Sequence, residues 1–196
     1  MRARSSCLWD RTSARREWSE ARELDWYLLD MDLNRGMRDY TRELLEIYRK
    51  YPAMYKNDHG FAGFTWINAD DADRSVYSFY RKDGTGKNNV LFVLNFTPME
   101  WKGYKTGVPA AGEYRHILDS ADTKFGGFGT GIPAKIKAVK EDCDYLDYSL
   151  TMDLPPYAAE VFVFDDAPAE KEKKPAGKKT AAKKPAAKTA RTRKKA

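Results

Sequence analysis

Apolar and polar positions change their period along this chain. Between residues 17 and 52, Met37, Tyr40, Leu44, Ile47 and Tyr51 recur at steps of three and four. That spacing puts them on one stripe of an α-helix, which Leu45 and Tyr48 widen. Asp32 or Asn34 is placed to cap its N-terminus, and Pro52 ends it. An amphipathic helix must bury its stripe, here against the neighbouring domain or against a further piece of protein.

Beyond residue 58 the period shortens to two. In Tyr148–Leu154, large residues alternate with small or polar ones, which predicts a half-buried strand. Pro155-Pro156 breaks it, and Val161–Phe164 forms the next strand. Val90–Leu94 is a continuous apolar run, short enough for a strand covered on both faces. Ser75–Arg81 reads as its hairpin partner across Asp83-Gly84-Thr85-Gly86, where glycine tolerates positive φ. Phe64–Asn68, Tyr104–Val108 and Tyr114–Leu118 add further strands. The pattern predicts a mainly β fold, an antiparallel β-sandwich preceded by one helix.

Composition narrows the class. With 196 residues, the chain falls short of the about 250 of a typical (β/α)8 barrel. Aromatics make up 13%, too many for a wholly disordered chain, and no apolar run is long enough to cross a membrane as a helix. The net charge of +6 hides two opposite parts. Glu170 to Ala196 holds ten Lys, two Arg and two Glu, which is +10, so the remainder carries −4. This tail repeats Lys-Lys-Pro-Ala at 173–176 and 183–186 and lacks large apolar residues, so residues 166–196 are expected to be disordered. Lys173, Lys174, Lys183, Lys184, Arg191 and Arg193 are candidate polyanion contacts through counterion release. Residues 1–16 hold five Arg and no apolar core, which excludes a secretory signal and suggests an unstructured or mis-assigned start. Cys7 and Cys143 form no CxxC motif, which favours a reducing compartment, the cytoplasm, over a disulfide scaffold.

Candidate chemistry is sparse. Asp70, Asp71 and Asp73 read as an acidic turn rather than a catalytic pair. His59 and His116 are far apart and make no metal site with the two cysteines. Gly126-Gly127-Phe128-Gly129-Thr130-Gly131 lacks the Gly-Lys-Ser/Thr ending of a phosphate-binding loop and reads as a flexible loop. Asn95-Phe96-Thr97 matches a glycosylation sequon but reads as a strand end. Trp66 is expected in the core. Trp101, placed in a loop, and Tyr104 are the candidate sugar-contacting aromatics, each pairing an apolar face with a polar edge. No catalytic residue, metal ligand or cofactor is assigned.

Taken in order, several motifs carry a resemblance. Arg16-Glu17-Trp18 is followed by Leu24-Asp25-Trp26-Tyr27-Leu28-Leu29 and Asn34-Arg35-Gly36. Leu45, Tyr48-Arg49, Pro52-Ala53-Met54 and Gly63-Phe64-x-Trp66-Ile67 come next. Asp70-Asp71, Ser75-Val76, Asn95-Phe96-Thr97-Pro98 and Gly103-Tyr104-x-x-Gly107-Val108-Pro109 continue the series, which Tyr148-Ser149-Leu150-Thr151-x-x-Leu154-Pro155-Pro156 closes. Over roughly residues 15–164 the chain resembles the C-terminal end of bacterial-type 1,4-α-glucan (glycogen) branching enzymes of the α-amylase superfamily.

The resemblance implies that residues 17–54 are the last segment and final helix of an absent catalytic barrel, and 55–165 the C-terminal all-β domain. It implies a parent activity in glycogen biosynthesis: transfer of α-1,4-glucan segments to 6-hydroxyls by double displacement. The implied partners are the α-glucan and the missing barrel, with no membrane contact. The family's nucleophilic Asp, acid–base Glu and second Asp lie upstream of the matching region, so this chain alone is expected to be inactive. Met1 to Arg15 and the basic tail depart from the family pattern. The alternative is a non-enzymatic β module whose tail binds nucleic acid or another polyanion.

Overall fold

A computed structural model of the chain describes Ala21 and residues 25–166. The expectations for residues 1–16 and for the tail, with Lys173, Lys174, Lys183, Lys184, Arg191 and Arg193, lie outside the described residues.

The helix expected from the three-and-four spacing is present as α1, Asp32–Lys50. Met31, in extended conformation, occupies the N-cap position without a side-chain capping bond, so neither Asp32 nor Asn34 is the cap. Asp32 falls inside the first turn, where its charge suits the helix dipole, and lies 3.1 Å from the Arg35 guanidinium. At the other end Tyr51 N donates to Ile47 O, and Pro52 opens a short 3-10 turn, Pro52–Met54.

Eight strands follow: β1 Phe64–Asp71, β2 Val76–Arg81, β3 Asn89–Asn95, β4 Trp101–Val108, β5 Glu113–Asp119, β6 Lys135–Lys137, β7 Tyr148–Leu154 and β8 Ala159–Phe164. Seven of these sit where the sequence pattern predicts strands. The three-residue β6 is too short to show a period. All pairings are antiparallel. A six-stranded sheet has the order β1-β2-β3-β8-β5-β6, and β4 and β7 form a second, two-stranded sheet.

The core lies on both faces of the larger sheet. Leu91 and Val93 of β3 and Phe162 and Phe164 of β8 face the small sheet, where they meet Tyr104, Val108, Leu150, Met152 and Leu154. The intervening residues Val90, Val161 and Val163 face the other way, with Leu118 of β5. There Ile47 of α1 and Tyr51 just past its end, supported by Tyr40 and Leu44, cover them. The apolar run at Val90–Leu94 is therefore buried on both faces, as its lack of alternation requires.

This packing corrects one expectation taken from the resemblance. The stripe of α1 is not left waiting for an absent barrel; the sheet itself covers Tyr40, Leu44, Ile47 and Tyr51. What stays exposed is Met37 at the start of the expected stripe, Leu45 and Tyr48, which were expected to widen it, and Leu33.

The glycine-rich stretch is also not a loose loop. Gly126 N donates to Thr123 O and Gly129 N to Ala121 O, and both glycines have positive φ. Phe125, at its start, packs edge-on against Tyr40 with ring centroids 5.3 Å apart. Among the described residues, no helix is long and apolar enough to cross a membrane.

Candidate functional site

Strand β1 positions the first candidate site. It is an edge strand with register shifts between Trp66 and Asn68 and between Asn68 and Asp71. Ile67 enters the core between the sheets, while Trp66 turns outward and is 52% exposed. This reverses the expectation that Trp66 is a core residue.

Across from β1 lies a tight turn. Cys143 and Leu146 exchange backbone hydrogen bonds, N to O, in both directions. The two residues between them, Asp144 and Tyr145, have φ of 50° and 62°. Two successive left-handed residues make a type I′ turn, whose second central position normally favours glycine. A tyrosine there carries a strain of about 1–2 kcal/mol. The turn is held in place by Asp144. Its carboxylate accepts from Asn68 Nδ2 of β1 and from Gly107 N of β4, both at 2.8 Å. Gly107 permits this approach, because a Cβ there would overlap the Cys143 carbonyl. The Tyr145 ring consequently stands wholly in solvent.

Between strand and turn is a cleft of about 680 Å³, lined by Trp66, Asn68, Asp70, Asp71, Arg74, Asp144 and Tyr145, with Ile67 and Ala69. Its volume lies within the roughly 300–1,000 Å³ of small-molecule sites. Arg74 Nε lies 2.8 Å from Asp71, and this hydrogen bond holds the guanidinium in its charged form. Asp70 and Asp71 thus close β1, as the acidic-turn reading expects, but they also line the cleft.

The two aromatics expected to touch sugar are placed otherwise. Tyr104 is 3% exposed in the core between the sheets, and Arg74 covers its ring at 5.0 Å. Burial, followed by the nearby charge of Asp71, pushes its phenol pKa far up. No face of Tyr104 is open to a ligand. Trp101 begins β4 instead of lying in a loop, and it packs half-buried against the same core. Alternation placed Tyr104 on a strand, but could not say which face of that strand meets the second sheet.

A second surface lies on the outer side of the large sheet. Phe64, Trp66, Tyr77, Phe79, Phe92 and Phe96 contact one another with ring centroids 4.8 to 6.4 Å apart. Phe92 also joins the cluster under α1, so this row shares the helix's side of the sheet. Tyr48 of α1 and its ring partner Tyr55 are also exposed, as is Phe61, at 98%, three residues before Phe64. This much exposed aromatic surface is the mark of an interaction face.

The histidines do not meet. His59 is exposed, whereas His116 is half-buried beside the wholly buried side chain of Glu160 of β8. Cys143 is free, and burial pushes its thiol up to about 11, which leaves it unreactive at neutral pH. Among the described residues no group of His, Cys, Asp and Glu could hold a metal ion. Asn95 of the sequon is buried, and its amide donates to Met99 O at 2.8 Å and Pro155 O at 2.7 Å. It therefore ends a strand and is not an accessible glycosylation site.

Comparison with known proteins agrees with this architecture. The chain is 66% identical over 149 residues to the 1,4-alpha-glucan branching enzyme GlgB of Butyrivibrio fibrisolvens, covering 76% of this chain and 23% of that protein. It is 37% identical over 145 residues to the GlgB of Geobacillus stearothermophilus, covering 74% and 23%. The chain thus spans about a quarter of the length of these curated relatives. Among solved structures, a trehalulose synthase MutB variant bound to Tris aligns with a TM-score of 0.42 at 14% identity, over 72% of this chain and 21% of that one. Residues 66–165, about half of the chain, match the model of the family described as alpha amylase, C-terminal all-beta domain, and the protein belongs to that family.

Proposed function

We propose that this chain provides the C-terminal all-β unit of a cytoplasmic 1,4-α-glucan branching enzyme, and that the unit supports a catalytic (β/α)8 barrel. The observation that carries this reading is the 66% identity over 149 residues to a protein named as that enzyme. The exposed aromatics Tyr77 and Phe96 of the large sheet, Phe61 and the outer side of α1 are the surface proposed to pack against the barrel, while Trp66, on the edge strand beside the cleft, stays outside that contact. Residues 25–54 would then join the barrel to the β unit, with α1 already anchored to the sheet. The catalytic acids of the reaction belong to the barrel, so the chain alone is expected to make no branches.

The test is a chimera. Residues 25–166 replace the matched segment of the Butyrivibrio enzyme, and new α-1,6 links in amylose are counted after debranching. The expected result is branching by the chimera and none by this chain alone. A folded chimera without activity would overturn the supporting role, and so would branching by the isolated chain.

The basic tail would add nonspecific affinity for polyanions, a reading supported by its +10 charge over residues 170–196. Retention on a polyanion column should fall steeply with salt and vanish when residues 170–196 are deleted.

A further inference from the structure

The cleft beside β1 has features that a purely supporting unit does not need. A wholly exposed tyrosine is held at a backbone position suited to glycine, and the turn that carries it is fastened to two different strands by one carboxylate. Strained presentation of this kind is characteristic of binding positions. Trp66 lines the same cleft, is 52% exposed, and is kept in place by ring contacts to Phe64 and Phe79 at 5.0 and 5.5 Å. Two aromatic side chains with polar edges thus line one cleft.

The polar lining selects the ligand class. Asp70, Asp71 and Asp144 face a single cation, Arg74, which is already bound to Asp71. An anionic ligand would meet a net negative wall. A neutral polyol suits the cleft better. Its hydroxyls can donate to Asp70 and accept from the outer nitrogens of Arg74, while its C–H faces lie on the rings.

We propose that the cleft between β1 and the Asp144–Tyr145 turn is a binding subsite for a segment of α-1,4-glucan, with Trp66 and Tyr145 as stacking platforms and Asp70 and Arg74 as hydroxyl partners. The choice of glucan among neutral polyols rests on the branching-enzyme reading; the cleft itself does not.

The test is binding of maltoheptaose to the full chain by calorimetry, alongside Trp66→Ala and Tyr145→Gly. Tyr145→Gly removes the ring at a position where glycine relieves strain, so its loss of binding cannot come from unfolding. The expected result is saturable binding, insensitive to salt, whose dissociation constant rises at least tenfold in each variant. Binding that is unchanged in Tyr145→Gly would overturn the proposal. Equal affinity for a β-1,4-linked glucan would overturn the α-glucan assignment, and binding that fades with salt would point to a charged ligand and overturn it too. If the chimera branches amylose while the full chain ignores maltoheptaose, the subsite is refuted and the branching-enzyme reading stands.

Discussion

His116 Nε2 lies 2.7 Å from Glu160 Oε2, with the glutamate side chain wholly buried and the imidazole ring stacked on Phe162 at 4.7 Å. Burial raises the Glu160 pKa above its ordinary value of 4.5; the hydrogen bond from His116 opposes this, and the charge of Asp119 adds to it. Tyr40 of α1 feels the same carboxylate, since its phenol is raised first by burial and then by Glu160. The native state therefore holds the Glu160 proton more tightly than the unfolded chain does. Its stabilising contribution is whole below about pH 4.5 and is lost as pH rises through the raised native value. Glu160→Gln cannot ionise, so its melting temperature should match the parent's in acid and exceed it increasingly as pH rises. Calorimetry between about pH 4 and 8 checks this, and parallel profiles would refute it.

The two sides of α1 should respond differently to truncation. Ile47 is buried against Val90, Val161 and Val163, so Ile47→Ala should cost about 2–5 kcal/mol. Leu45 is exposed, so Leu45→Ala should change stability by no more than about 0.5 kcal/mol. Urea unfolding of both variants measures the contrast. Equal losses would mean that the helix does not sit on the sheet through this stripe.

Gly36 tests the seat of the helix. A glycine within a helix normally loses about 0.5–1 kcal/mol relative to alanine. Here a Cβ would overlap the carbonyl of Phe125, backbone that cannot swing aside. Gly36→Ala should therefore destabilise the protein, by about 1–3 kcal/mol, the cost of overpacking. A gain in stability would show that the loop after β5 yields easily.

The exposed aromatic face should make the isolated chain associate. Phe61, Trp66, Phe96 and Tyr48 are all large and open to solvent on or beside the outer side of the large sheet. Sedimentation should show mass rising with concentration, and the paired change Leu45→Lys and Tyr48→Glu should reduce it. A monomer at all concentrations would mean that this surface is not sticky without its partner.

Strand and helix positions were legible because they depend on short-range periods. Tyr148–Leu154 and α1 announce themselves through steps of two and of three and four, whichever element they later meet. Val90–Leu94 even declared that both its faces would be covered, since a half-exposed strand would alternate. The nature of the two covers was not written there. That β8 lies between β3 and β5, and that α1 closes one face while β4 and β7 close the other, depends on pairing between segments far apart in the chain.

The same division shows in the exposure of the candidate aromatics. Trp66 and Tyr104 each occupy a strand, and local pattern assigned the first to the core and the second to a ligand. A register shift lies beside Trp66, whose ring turns outward, and the meeting of two sheets closes Tyr104 in. By itself, then, the sequence determined the element types, the turn glycines and the family resemblance, all of which rest on residues close in the chain or on their order. Only the tertiary structure decided which aromatic faces are open, which carboxylate is buried beside a histidine, and that Asp144 ties a strained turn to β1. Those outcomes depend on which distant surfaces come together to exclude water, and no local period encodes that.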